Sequence, residues 1–330
     1  MKPCHVPLLL MLTLWTPRVT DAQSPTRLAR IGWMSRGNPT GSDADMDAFR
    51  QGMRDLGYVE GLGFVMEPRY AGGRRELMAE QAAELERAGV DVIIAGPFEA
   101  LQAARQTTSR VPIIMTPSAD PVATGIVKSL DRPGGSVTGI TEMMPELTPK
   151  RLTLLKQIVP TAKRVAILWK PGSLSEDTFM RMLQETRATA RTLGIQLQVV
   201  EAATVNDFDA AFAAMAQARA EGLIVLVNPM FNLERQRIIE RAAKQALPAI
   251  YEWKSSVRSG GLISYGADVQ DVYRRAAGFV DKILKGAHPG ELRVERPTRV
   301  EMAVNLRVAR ALGLAVPASI VKQAIEVIER

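Results

Sequence analysis

Residues 90–116 read VDVIIAGPFEALQAARQTTSRVPIIMT, and the fold class follows from this stretch. Val90 to Ala95 and Val111 to Met115 are apolar runs of strand length, whereas Glu99 to Ser109 carries apolar residues at helical spacing. Strands that are apolar along their whole length are buried on both faces, as in a parallel sheet covered by helices. The stretch therefore predicts a β-α-β unit of an α/β protein.

The same alternation runs along the rest of the chain in two similar series. In the first series the further predicted strands are Arg30 to Met34, Phe64 to Tyr70 and Val137 to Ile140, with helical faces formed by Met46, Phe49, Met53 and Leu56 and by Met78, Ala82 and Leu85. The second series has strands Arg164 to Trp169, Ile195 to Val200, Leu223 to Val227, Ala249 to Tyr251 and Leu262 to Tyr265, and a helix from Asn232 to Leu247. The pattern indicates two α/β units with parallel sheets.

The remaining tail is too short to form a third unit. It carries a helical face from Tyr273 to Ile283, strand-like alternation from Arg293 to Asn305 and a final helix from Pro317 to Arg330. Because these elements must complete one unit or the other, we expect several strands to cross between the two units.

The composition excludes several classes of function. The chain has 330 residues with 46% hydrophobic and 23% charged residues, which suits about two globular domains. One cysteine and two histidines allow neither an internal disulfide nor a Cys/His zinc site, and we expect no metal and no cofactor. The formal charge is +7, but the basic residues are scattered and form no stripe for phosphate backbones, so we expect no nucleic-acid partner.

The N-terminus has the pattern of a secretory signal peptide over residues 1–22. Lys2 provides the positive start, Val6 to Trp15 is a mostly apolar run, and Thr20-Asp21-Ala22 offers small residues at the cleavage positions. Cys4 precedes the apolar run, so it does not form a lipoprotein anchor. We therefore expect a protein secreted into the periplasm through a cleavable signal peptide.

Enzyme motifs are missing from the sequence. Cleavage after Ala22 leaves His288 as the only histidine, within the turn sequence GAHPG, which argues against a nucleophile activated by histidine. The glycines of GYVEGLGF (57–64) follow a helix and do not have the dinucleotide-binding order. No phosphate-binding loop, metalloprotease or nucleophile-elbow motif is present.

Candidate binding residues lie where the predicted strands end, because ligands of open parallel sheets bind at the carboxyl ends of the strands. In the first unit they are Ser35, Arg36, Gly96, Pro97, Thr116, Ser118 and Asp120, and in the second they are Trp169, Asn228, Tyr251 and Tyr265. Hydroxyls, amides and aromatic rings suit a small polar ligand.

Three of these residues have two possible roles. Asp120 could face an ammonium group of the ligand, or it could cap the turn that follows it. Trp169 and Tyr251 could stack on a ligand, or they could belong to the core.

Six segments of the chain resemble a known family, and they occur in the order that the family shows. They are GMRDLGYVEG (52–61), DPVATGIVKSLDRPGGSVTGIT (120–141), LPAIYE (247–252), SGGLISYG (259–266), YRRAAGFVDKILKGAHPGEL (273–292) and RPTRVEMAVNLRVARALGLAVP (296–317). The segments are similar to those of ABC-transporter substrate-binding proteins of the tryptophan/tyrosine-transporter-like group.

The resemblance implies a type I periplasmic-binding-protein fold. Such a protein has two Rossmann-like lobes joined by three crossover strands, and it captures its ligand by hinge closure. We expect lobe 1 to comprise residues 27–142 and 267–295, and lobe 2 residues 143–266 and 296–330.

The sequence departs from the family pattern at a few positions. Arg293 and Arg296 replace a more typical Pro and Gln, and Gln323-Ala324-Ile325 replaces Arg-Ala-Asp. Asn228-Pro229-Met230 stands where amino-acid-binding relatives carry an Asp-Asn pair, so the sequence does not identify an aromatic amino acid as the ligand.

These observations predict an exported, monomeric, non-enzymatic solute-binding protein that delivers a small organic ligand, an amino acid or another carboxylate-bearing compound, to the membrane permease of an ABC transporter. Two alternatives remain open: a ligand sensor coupled to a membrane receptor, and an enzyme built on the same scaffold. A repressor of the same fold would need a DNA-binding headpiece where the signal peptide lies.

Export can be tested directly. We expect cleavage near Ala22, because a charged start, an apolar run and a small-residue site follow one another. Mass spectrometry of protein recovered from the periplasm measures the N-terminus. Recovery of the chain with residues 1–22 intact would contradict this prediction.

Overall fold

The computed structural model describes residues 27–329, except positions 36, 39–42, 73, 75, 97, 109, 119–120, 123, 142–143, 175 and 227. The predicted signal peptide lies outside these residues. In the described part of the chain, no helix combines the length and the apolar character needed to cross a membrane.

A five-stranded parallel sheet forms the first unit. Its elements in chain order are β1 (Ala29–Ser35), α1 (Asp43–Asp55), β2 (Phe64–Tyr70), α2 (Leu77–Arg87), β3 (Val92–Ala95), α3 (Phe98–Thr107), β4 (Ile113–Ser118) and β5 (Val137–Thr141). The strand order is β2-β1-β3-β4-β5. All four pairings are parallel, and β3 is buried along its whole length, as its apolar run predicts.

A seven-stranded sheet forms the second unit. It contains α4 (Met144–Ile158), β6 (Arg164–Trp169), α5 (Glu176–Leu193), β7 (Gln196–Glu201), α6 (Phe208–Gln217), β8 (Gly222–Val225), α7 (Pro229–Leu233), α8 (Arg235–Lys244), β9 (Ala249–Tyr251), α9 (Lys254–Arg258), β10 (Ile263–Ala267), β11 (Val300–Asn305), α11 (Leu306–Ala311), α12 (Ala318–Gln323) and β12 (Glu326–Ile328). The order is β12-β11-β10-β9-β8-β6-β7, and β10 pairs with β11 in antiparallel fashion.

The chain passes between the two sheets three times. It leaves the first sheet after β5, and it returns after β10 through helix α10 (Val269–Leu284). Helix α10 packs against α1, and its residues Val272, Ala276 and Val280 are buried in the same core cluster as β1 and β3. A bridge between Ile140 and Glu295 then precedes the last passage to β11.

Each sheet carries a core on both faces, which confirms the α/β class predicted from the apolar runs. Trp33 of β1 is 2% exposed and belongs to the core of the first sheet. Leu56 was predicted to lie on the buried face of α1, but it is 45% exposed. Helix α1 ends at Asp55, and Gly57 at φ +88° turns the chain, so Leu56 no longer follows the helical face.

Three further predictions differ from the structure. No element was assigned to residues 144–158, which form α4 even though Pro149 lies within it. The single helix predicted from Asn232 to Leu247 is two helices, which meet at Glu234, where the backbone leaves the helical conformation. The predicted final helix is a short helix followed by β12, because Val327 pairs with Val304 of β11.

The close approach of α1 and α10 depends on a glycine. A Cβ atom on Gly52 of α1 would lie 2.1 Å from the carbonyl oxygen of Arg274 and 2.9 Å from the Cβ of Ala277, both on α10. Backbone atoms cannot move aside as a side chain can. Any larger residue at position 52 would therefore separate the two helices.

We expect Gly52→Ala to destabilise the protein by about 3 kcal/mol, because overpacking a helix contact forces a backbone shift. Gly278→Ala is the matched control, since a Cβ on this glycine of α10 meets no atom within 4 Å. The control should be neutral or should gain about 0.5 to 1 kcal/mol from helix propensity. Urea unfolding measures both. Equal stabilities of the two variants would contradict the close contact.

Candidate functional site

The carboxyl edge of the first sheet carries buried polar groups. Ser35 ends β1, and its Oγ accepts a hydrogen bond from the backbone N–H of Gly37 at 3.2 Å. Thr116 of β4 is fully buried, and its hydroxyl has no hydrogen-bond partner among the described residues. A Cβ on Gly96 would lie 2.1 Å from the carbonyl oxygen of Thr116 and 2.8 Å from the Tyr273 hydroxyl, so only glycine fits there.

Four predicted site residues of the first unit lack a described side chain. Arg36, Pro97 and Asp120 lie outside the described residues, and Ser118 is described only through its backbone at the end of β4. The two possible roles of Asp120 both stay predictions.

The carboxyl edge of the second sheet presents aromatic and amide groups. Trp169 ends β6 half-buried and stacks on Phe179, with ring centroids 3.6 Å apart and planes 10° apart. Asn228 is buried and caps α7, because its Oδ1 accepts from the N–H of Phe231 at 3.0 Å. The Asn228 Nδ2 and the Trp169 Nε1 have no partner among the described residues.

The two tyrosines of this edge have different environments. Tyr251 is 3% exposed within the core cluster of β6, β8 and α8, and burial raises the pKa of its hydroxyl. The structure thus places Tyr251 in the core, one of the two roles that the sequence allows. Tyr265 is half-buried in β10, and its carbonyl accepts a hydrogen bond from Arg151 Nε at 2.7 Å.

A buried ion pair lies behind this edge, and the sequence analysis did not find it. Arg151 of α4 is fully buried, and its Nη2 lies 3.1 Å from Oε1 of Glu252, whose side chain is 2% exposed. Burial raises the pKa of the Glu252 carboxyl to about 7, although the Arg151 charge opposes this rise. Arg151 lies three positions after Thr148 and four before Leu155, so the three residues share one helix face. A charged residue on this otherwise uncharged face was the signal available in the sequence.

A recess opens beside the ends of β8 and β9. Its cavity volume is about 20 Å³, which is room for roughly one water-sized group, and one side is open to solvent. The lining residues are Val225, Leu226, Phe231, Asn232, Arg235, Ile238, Tyr251, Glu252, Trp253 and Ser256. The Nε1 of Trp253 is buried there without a partner in the described structure.

Contacts around Lys254 bring the two edges together. Lys254 begins α9, and its Nζ lies 2.9 Å from Glu301 Oε2 on β11 and 3.5 Å from Gln270 Oε1 in the first turn of α10. Asp45, in the first turn of α1, is close enough for Lys254 to lower its pKa, while burial raises that pKa to about 6. Because α1 and α10 belong to the first unit, both carboxyl edges border the same cleft.

The groups at this cleft suit binding of a polar molecule. Buried polar atoms without hydrogen bonds cost free energy, and a ligand that supplies the missing partners recovers it. Among the described residues, no group of three or more His, Cys, Asp or Glu side chains is arranged to hold a metal ion. His288 is exposed in its turn, and its Nδ1 accepts from Gly290 N–H at 3.2 Å, as expected for a loop residue.

Two sheets of mostly parallel strands, a chain that crosses between them, and a cleft at their carboxyl edges define a type I periplasmic-binding-protein fold. The chain belongs to the family of ABC transporter substrate binding proteins, whose family model matches residues 39–328. Its role is therefore that of a solute-binding protein for a small ligand.

Individual relatives agree with this family. The chain is 26% identical over 276 residues to a tyrosine-binding protein of Clostridioides difficile strain R20291, covering 82% of this chain and 77% of the relative. Its fold matches a Streptococcus pneumonia ABC domain in complex with L-Trp, at a TM-score of 0.80, 22% identity and 91% and 100% coverage. A conserved domain protein of Vibrio cholerae matches at a TM-score of 0.79, 24% identity and the same coverage.

The raised pKa of Glu252 predicts a pH dependence of stability. The folded protein binds this proton more tightly than the unfolded chain, whose carboxyl has a pKa near 4.5. The stabilisation is therefore complete below pH 4.5 and is lost as the pH rises through about 7. Relative to Glu252→Gln, the parent should lose on the order of 2 kcal/mol of unfolding free energy between pH 5 and pH 8.

Urea unfolding at several pH values measures this difference. Glu185→Gln is the matched control, because it removes an exposed carboxylate of α5. Asp45→Asn should change the slope in the same direction as Glu252→Gln, since burial raises the pKa of Asp45 too. Parallel curves for the parent and Glu252→Gln would mean that Glu252 stays ionised in the folded state.

Proposed function

We propose that this protein is exported and captures a small organic ligand bearing a carboxylate between its two lobes, for delivery to the permease of an ABC transporter. The observation that carries the proposal is the set of buried hydrogen-bond donors without partners at the cleft. They are the Thr116 hydroxyl, the Asn228 amide and the indole N–H groups of Trp169 and Trp253. A carboxylate accepts up to four hydrogen bonds and donates none, so it suits such a set.

The lobes that close on the ligand comprise residues 27–142 with 267–295, and residues 143–266 with 296–330. Support for these boundaries comes from the packing. Strand β5 ends at Thr141 and α4 starts at Met144, while α10 packs on α1 of the first unit. Beyond Glu295 the chain joins the second sheet as β11. Each proposed boundary thus lies where the chain passes from one sheet to the other.

Helix starts add positive potential to the first lobe. Ser35 and Ser118 end strands β1 and β4, and the N-terminus of α1 follows β1. The partial charge at a helix N-terminus stabilises an anion by about 0.3 to 1 kcal/mol at exposed sites, and by more when it is partly buried. A carboxylate held at this edge needs no metal.

The protein acts as a monomer without catalysis in this proposal. Support comes from the family, whose members bind substrates, and from the exposed position of His288, far in sequence from the cleft loops. One relative is a tyrosine-binding protein, and one matched fold holds L-Trp, so amino acids are the first ligands to test. Because Asn228-Pro229 replaces the Asp-Asn pair of amino-acid-binding relatives, small carboxylates belong in the same screen.

Ligand binding should both stabilise and compact the protein. At about 100 times its dissociation constant, a ligand raises the unfolding free energy by roughly 2.7 kcal/mol, which a thermal melt detects. Small-angle scattering should then show a smaller radius of gyration with the ligand than without it. Unchanged dimensions at saturation, or steady release of a product, would contradict a binding protein that closes without chemistry.

Asn228→Asp separates the two roles of this side chain. The aspartate keeps the oxygen that caps α7 but loses the amide donor, so the fold should persist while carboxylate binding weakens about tenfold to a hundredfold. Asn206→Asp is the matched control, because Asn206 is exposed and does not line the recess. Titration calorimetry measures both, and equal affinities for parent and Asn228→Asp would remove Asn228 from the site.

A further inference from the structure

Arg235 is a half-buried cation at the recess of the second lobe, and no carboxylate of the described residues pairs with it. It is the first residue of α8, and its Nε donates to Ser259 Oγ at 3.0 Å while its Nη1 donates to the carbonyl of Asn232 at 2.8 Å. Both partners are neutral. The guanidinium is therefore held in place, yet its charge is not neutralised by the protein.

Neighbouring arginines of α8 have acidic partners. Arg237 lies 3.5 Å from Glu234, and Arg241 lies 2.8 Å from Asp209. A charge that is partly withdrawn from water and left unpaired is costly unless a counter-charge arrives. Arg235 thus differs from Arg237 and Arg241 because its charge is left for a ligand to neutralise.

The charges behind the recess do not provide the missing anion. Glu252 lines the recess, but Arg151 lies 3.1 Å from its carboxylate and compensates it. With Arg235 included, these three groups carry a net positive charge whether Glu252 is ionised or protonated. The local balance therefore favours an incoming anionic group.

Other features of the recess suit an acidic group. The Trp253 indole N–H is buried there without a described partner. Asn228, whose Nδ2 also has no described partner, precedes the lining residue Phe231 by one helical turn. Both are donors, and a planar carboxylate can accept bidentate hydrogen bonds from a guanidinium while taking further ones.

We propose that Arg235 binds an acidic group at the end of the captured ligand that enters the second lobe, so that the substrate class is small molecules with two acidic groups, such as dicarboxylates and acidic amino acids. The inference rests on the proposed function, in which donors of both lobes hold the ligand, and it assigns the donors of the second lobe, Asn228 and Trp253, to a second acidic group of that ligand. It makes Arg235 the residue that separates acidic ligands from their neutral analogues.

Matched pairs of probes test this assignment. Titration calorimetry compares glutamate with glutamine and succinate with succinamate, which differ only in the second acidic group. The parent should bind the diacid of a pair at least tenfold more tightly than its amide. Arg235→Gln should weaken diacid binding by about tenfold to a hundredfold and leave amide binding unchanged. Arg237→Gln, on the same helix but exposed, should keep the parent's preference.

Failure of the inference differs from failure of the proposed function. The inference about Arg235 is wrong if the parent binds neutral amino acids or amides as tightly as diacids, or if Arg235→Gln keeps the preference for diacids. In both cases the protein still binds solutes, so the proposed function stands. If tyrosine, tryptophan and every probe fail to bind, both proposals are wrong. Arg235→Lys keeps the charge and serves if the Gln variant unfolds: it should keep part of the preference, and complete loss or full retention of it would contradict a bidentate arginine contact.

Discussion

The structure depends on the packing of helix α10 against helix α1. The first sheet receives α1, α2 and α3 from its own segment of the chain, but Val272, Ala276 and Val280 of α10 complete its core. Those residues follow the whole second sheet up to β10 in sequence. At Gly52 a Cβ atom would lie 2.1 Å from the carbonyl oxygen of Arg274, so the absence of a side chain at this position allows the two helices to pack. The first lobe is therefore completed by a helix that follows most of the second lobe in the sequence.

This return of the chain also creates the cleft. Passages between the sheets leave from the carboxyl ends of β5 and β10, and they hold the two carboxyl edges near each other. Lys254 contacts Glu301 and Gln270 across this region. Side chains at these edges take no part in the backbone hydrogen bonds of the sheet, and the Thr116 hydroxyl of β4 and the Asn228 amide have no other partner among the described residues. The same carboxyl edges therefore form the cleft and carry the polar groups that can bind a ligand.

The fold could be predicted where the sequence pattern is local. Apolar runs such as Val92–Ala95 are long enough to show a buried parallel strand, and alternation with helices then sets the class. Helix α4 was missed because Pro145 and Pro149 interrupt its pattern. Strand β12 was missed because three residues show no period, and only pairing with a distant strand makes them extended.

The candidate site was predictable only in part. The strand-end rule depends on topology alone, and it assigned the candidate residues to the carboxyl edges of the sheets; their part in binding stays a prediction. Whether Tyr251 faces a ligand or the core could not be read from the sequence, since both faces of a parallel sheet are buried. The Arg151 and Glu252 pair joins residues about a hundred positions apart, and no local pattern links their charges.

The C-terminal strand has a practical consequence. Strand β12 covers the outer edge of β11, where Val327 pairs with Val304. An ion pair between Arg258 Nη2 and Glu326 Oε2, 2.8 Å apart, links β12 to the residues of α9. Removing these last residues would leave the backbone of β11, with its buried Met302 and Val304, as an open edge on which another chain can add a strand. Protein produced for biochemistry should therefore retain β12, and a C-terminal affinity tag should follow that strand on a flexible linker, because loss of β12 favours aggregation through the exposed edge.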